Sequence, residues 1–150
     1  LNPSGSVNTV LVPALTPLEQ QQLEAKKKAD QAELARQQEV KKRDRALLAR
    51  YPNQAAHQKE RVTALAQVAG ARQAIAGSVQ ALQAERLKLT QEMDFYAKDP
   101  GKAPPRLRAR LAAVDDNLDA QARADMEQVA EIARIHARFD AEALRLKPGW

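Results

Sequence analysis

The sequence has no cysteine, which excludes disulfides, zinc–thiolate centres and thiol chemistry from within this chain. Aromatic residues make up only 3% of it, two Phe, two Tyr and one Trp, too few rings to organise a compact globular core of this length. No apolar run approaches the roughly 20 residues that span a bilayer. Apart from one short stretch near the start, nothing alternates in the β-branched pattern of a strand. Phosphate-cradling glycine loops, HExxH and GxSxG are absent as well. The three serines, Ser4, Ser6 and Ser78, have no histidine in partnership. His57 and His136 stand far apart in the chain with no ligand set around them. His136 and Asp140 share a helix face, as do Glu127 and Glu131, but the facing arm offers Arg72 and alanines where a two-helix metal site needs matching ligands. The sequence therefore assigns no catalytic, cofactor-binding or metal residue, implies no small-molecule substrate, and points away from an enzyme.

What it does contain is helix. Of 150 residues 44% are apolar, a share made ordinary largely by alanine. Two long apolar-periodic segments are joined by Asp99-Pro100-Gly101-Lys102-Ala103-Pro104-Pro105. In the first, Leu65, Arg72, Val79, Arg86 and Met93 take heptad position a, and Val68, Ile75, Leu82, Leu89 and Tyr96 take d. In the second, a falls on Leu111, Leu118, Asp125, Ile132, Phe139 and Leu146, and d on Leu107, Val114, Gln121, Gln128, Ile135 and Glu142. Such a repeat is the period of a coiled-coil seam. The fold class expected is all-α: a long antiparallel helical hairpin (coiled coil), preceded by a polar helix and an extended N-terminal segment. Folding a layers onto d layers predicts Tyr96 against Leu111, Met93 against Val114, Leu89 against Leu118, Ile75 against Ile132 and Val68 against Phe139. It also predicts a polar central layer, with Arg86 facing Gln121 and Asp125 near Leu82. Polar groups in a seam cost stability but fix register and partner; a weak, wet stretch is the plainer account.

The chain divides into an extended linker over 1–15, a polar helix over 16–50, and the hairpin over 53–147 with its loop at 98–105. Val7-Asn8-Thr9-Val10-Leu11-Val12 could form one strand within the linker, which would need a partner outside this chain. The alternative is an apolar tail lying on the helices. Thr16-Pro17-Leu18-Glu19 is a helix start, with Thr as cap, Pro at the first position and Glu three after the cap. Between Glu19 and Arg45 the large apolar residues are Leu23, Leu34 and Val40, too few for a core-facing stripe. Tyr51-Pro52-Asn53 breaks this helix, and Asn53 can cap the next.

Three features are candidates for interaction. Lys98, Lys102, Arg106, Arg108 and Arg110 crowd the hairpin tip and could meet lipid headgroups, phosphate backbone or an acidic partner; a solvated loop with intrahelical ion pairs would look the same. Gly70 and Gly77 occupy successive f positions, each costing about 1 kcal/mol relative to alanine. They mark either a small-residue groove for the alanines of the first helix or another subunit, or a tolerant exposed face. The aromatics lie near the ends of elements, Phe95 and Tyr96 at the loop and Tyr51, Phe139 and Trp150 at the open end, where they serve as plugs or as a docking cluster. The formal charge of +5 is mild, and its charges are interleaved as on a solvated helix. There is neither the basic stripe nor the stacking aromatics of a nucleic-acid footprint.

The runs Arg43-Asp44-Arg45-Ala46-Leu47-Leu48-Ala49-Arg50-Tyr51-Pro52-Asn53 and Ile132-Ala133-Arg134-Ile135-His136-Ala137-Arg138-Phe139-Asp140-Ala141-Glu142 resemble the helical tails of a family of proteobacterial envelope proteins of unknown function. The resemblance implies an export signal and a small β domain ahead of a charged helical tail, with Leu1-Asn2-Pro3-Ser4-Gly5 as the linker between them. It implies a periplasmic or envelope location and supplies no catalytic residues. The function expected is a non-enzymatic coiled-coil scaffold or protein-interaction module, through a protein partner or self-association. The alternatives are a binder of anionic lipid or nucleic acid through the hairpin tip, and a periplasmic chaperone-like clamp.

Overall fold

A computed structural model describes residues 14–150; the linker and strand expected within residues 1–13 lie outside them. Strong helix formers carry the chain from Pro17 onward. Helix α1 (Pro17–Arg50) opens where the Thr16 hydroxyl accepts the Glu19 amide at 3.1 Å, with Pro17 in the first turn. No residue of α1 is buried. Its surface carries intrahelical pairs such as Arg36–Glu33 at 2.7 Å and Arg43–Glu39 at 3.5 Å, the contacts open to a helix with no apolar stripe to bury.

Residues Leu47–Trp150 form a separate unit, an antiparallel hairpin of helix α2 (Gln54–Asp94) and helix α3 (Pro105–Leu146). Each arm is on the order of 60 Å long at 1.5 Å per residue. Asn53 caps α2, its side-chain carbonyl accepting the Ala56 amide at 2.8 Å. The arm ends at Asp94, before the Ala97 that the periodicity suggests. Turn bonds from Ala97 to Asp94 and from Asp99 to Tyr96 follow, then a 3-10 turn over Pro100–Lys102. Pro104 is extended (φ −56°, ψ 137°), and Pro105 starts the return helix with the fixed φ suited to a first turn.

The core consists of two clusters. Toward the tip, Leu89, Leu107 and Val114 are buried with Leu82, Met93, Tyr96, Leu111 and Leu118 packed around them. Toward the open end, Val68, Ile135 and Phe139 are buried against Ala64, Leu65 and Ile132. Between the clusters, from Ala69 to Lys88 on α2 and from Asp115 to Arg134 on α3, no residue is buried.

The seam positions are those of the heptad pattern, but the arms are slipped by about one heptad from the predicted pairing. Arg86 bonds Asp115 at 2.6 Å rather than facing Gln121, and Asp125 bonds Arg72 at 2.9 Å rather than lying near Leu82. Ile75 shares a groove with Leu118, Gln121 and Asp125, while the Ile132 expected opposite it belongs to the Val68 cluster. A repeat of leucine-like residues looks the same after a shift of seven, so apolar periodicity does not choose between the two registers. Charge does: the observed one sets Arg61 on Asp140, Arg72 on Asp125 and Arg86 on Asp115 across the seam.

Candidate interaction sites

At the open end, α2 begins directly after the break at Tyr51-Pro52-Asn53, and His57, one turn in, meets the end of α3 through Phe139 and Glu142. His57 is 3% exposed and ringed by Tyr51, Phe139 and Trp150, at centroid distances of 4.9, 4.9 and 5.5 Å. Its Nε2 lies 3.1 Å from Oε1 of Glu142. The Trp150 indole N–H donates to the Tyr51 carbonyl at 3.0 Å, so the last residue is tied to the break before α2. Burial pushes the Tyr51 phenol above its ordinary pKa, with Glu142 and Glu60 adding to the effect and Arg50 and Arg138 opposing it. Gly149 is where this end closes: a Cβ there would stand 2.9 Å from Cδ2 of Leu48. The Arg138 guanidinium lies over the Phe139 ring at 4.6 Å and that of Arg61 at 5.5 Å. Tyr51, Phe139 and Trp150 therefore close the open end, with His57 as the polar centre that the sequence did not reveal. Its partner Glu142 is 85 residues away, and the unslipped register sets Glu142 opposite Leu65.

The middle of the hairpin is open. A groove of about 570 Å³ runs between the arms, lined by Ile75, Ala76, Val79, Leu118 and Ala122, with the Arg72–Asp125 pair at one end and Gln80, Gln83 and Gln121 along its edges. Helical spacing continues its α3 wall through Met126 and Val129, both exposed, Met126 at 71%. The hydrogen bond from Arg72 holds the Asp125 carboxyl below its usual pKa.

At the tip, Lys98, Lys102, Arg106, Arg108 and Arg110 are all exposed. Lys102 lies 4.0 Å from Asp99 and Arg110 lies 3.8 Å from Glu85, whereas among the described residues no ion pair engages Lys98, Arg106 or Arg108. Phe95 is no plug: it is 88% exposed, and with Glu92, Tyr96, Pro104, Arg106, Leu107 and Arg110 it lines a cleft of about 390 Å³. Its neighbour Tyr96 turns inward onto the Leu89 cluster.

Gly70 and Gly77 are exposed, and a Cβ on either would meet nothing within 4 Å. Among the described residues no group of three or more His, Asp or Glu side chains is placed to hold a metal ion, and no helix is long and apolar enough to cross a membrane. Comparison with protein families, characterised proteins and solved structures yields no match.

Proposed function

We propose that the chain is a non-enzymatic coiled-coil scaffold and protein-interaction module, and that its hairpin works by pairing with another helical surface. One observation carries this reading: the middle of the hairpin holds Ile75, Val79, Met126 and Val129, which are neither buried nor part of the two packed clusters. Two helices leave these side chains half in water, whereas a four-helix arrangement covers them. The partner to which this reading commits is a second copy. The groove edges are uncharged glutamines, and the one ion pair in the wall is already matched, so like copies can approach despite a formal charge of +5. Ala76 and Ala122 leave room for a close helix. The resemblance to envelope-protein tails supports a scaffold of the bacterial envelope as the setting.

Sedimentation equilibrium of the full chain tests this. The expected result is reversible dimerisation at micromolar concentration that an Ala76→Glu/Ala122→Glu variant abolishes while keeping its helical circular dichroism. A chain that stays monomeric to millimolar concentration, or a dimer indifferent to these two charges, overturns it. A monomer that suppresses aggregation of an unrelated unfolded protein would favour the clamp instead.

A further inference from the structure

From the hairpin tip we infer a docking site for an anionic lipid surface, with Phe95 as its apolar anchor. This does not depend on the central groove. The turn between the arms is where a helical hairpin can meet a flat surface end-on. At that point the chain places an 88% exposed phenylalanine beside exposed prolines and a cluster of cations. Between Glu92 and Arg110 five basic residues face three acidic ones, Glu92, Asp94 and Asp99. Among the described residues Lys98, Arg106 and Arg108 have no ion pair to give up, and the contacts of Lys102 and Arg110 are long and exposed.

The geometry separates Phe95 from an ordinary surface residue. Tyr96, next in the chain, packs on the Leu89 cluster, while Phe95 lines a cleft with Arg106 and Arg110, whose two guanidinium groups outnumber the one carboxylate there, Glu92. An aromatic ring flanked by guanidinium groups matches the boundary of a bilayer: the ring enters the acyl margin and the cations remain with the phosphates. A nucleic acid fits this tip less well, since stacking along a strand uses successive aromatic platforms and only Phe95 is displayed. Each cation held near an anionic surface is worth roughly a fivefold gain in binding, so three unengaged cations suffice for reversible attachment but not for permanent anchoring.

The test uses the full chain and vesicles of phosphatidylcholine, with and without about a third phosphatidylglycerol. Co-sedimentation with the anionic vesicles is expected, weakened on the order of tenfold or more in Arg106→Gln/Arg108→Gln and several-fold in Phe95→Ser, and reversed by 0.5 M salt. In Phe95→Trp the added indole should shift to the blue on vesicle addition. Trp150, in the unaltered chain, should not shift, because it is locked into the open end by its bond to Tyr51. Equal binding to neutral vesicles, an unaltered affinity in Phe95→Ser, or binding to a 20-nucleotide single strand without binding to anionic vesicles would each overturn the inference. All three positions are exposed, so unchanged helical dichroism in the variants confirms that the readout concerns the surface and not the fold.

Discussion

Replacing Gly70 and Gly77 together with alanine is the perturbation whose sign the structure decides. Both lie within α2, neither has a positive φ, and neither site has an atom within 4 Å of the added Cβ. Alanine therefore gains the helix-propensity difference with no clash to offset it, about 0.5–1 kcal/mol per site. The sites are seven residues apart on one face, roughly 10 Å along the axis, far enough for the effects to add. The pair should stabilise the hairpin by about 1–2 kcal/mol. For a unit the size of Leu47–Trp150, at about 4–8 °C per kcal/mol, the melting temperature should rise by roughly 5–15 °C. Thermal melts followed by circular dichroism at 222 nm measure it, at two protein concentrations so that assembly is separated from folding. A lowered melting temperature would show that something packs against the glycine face, and the account of that face as open surface would be wrong. No change at all would refute the propensity argument.

The remaining predictions concern the closed end and the seam. Phe139→Ala removes the most completely enclosed ring in the chain, 0% exposed, and should cost about 3–5 kcal/mol; urea unfolding measures this, and a loss under 1 kcal/mol would mean that the end is loosely packed. Asp125 has its folded pKa lowered by the Arg72 hydrogen bond. Its contribution is thus present above the ordinary carboxylate value of about 4 and is lost as pH falls through the lowered folded value. Melts between pH 7 and pH 2 should show wild type losing part of its stability below about pH 4, and Asp125→Asn losing less over that interval. Parallel curves for the two proteins would mean that the Arg72–Asp125 pair contributes nothing.

Helical character, the Thr16 and Asn53 caps and the proline-led return were legible because they are local. A cap needs residues three apart, and a heptad repeat is visible within one segment. The pairing of the arms is not local: the predicted pairs Tyr96–Leu111, Met93–Val114, Leu89–Leu118 and Val68–Phe139 do fall within shared clusters, but the polar partners differ. Apolar residues alone leave a slip of seven undecided, and the discriminating signal is the charge on Arg86 with Asp115 and on Arg72 with Asp125, which a heptad pattern of apolar positions does not register. His57 was hidden by the same slip. Phe95 and Tyr96 illustrate a finer limit: adjacent aromatics at a helix end point to different sides, and which of them faces solvent depends on where the helix stops, here at Asp94.

The two buried clusters have a consequence for how the hairpin opens. Each is a separate fastening, and the stretch between them is held mainly by half-covered side chains and exposed ion pairs. Cooperativity between the ends is correspondingly weak, and local opening follows the distribution of buried contacts. Releasing the His57 end leaves the limbs hinged at the proline turn, and cutting the turn leaves them clasped at the other end. The hairpin is built like a pair of tweezers with a catch at the jaws, free to spread at one end without coming apart.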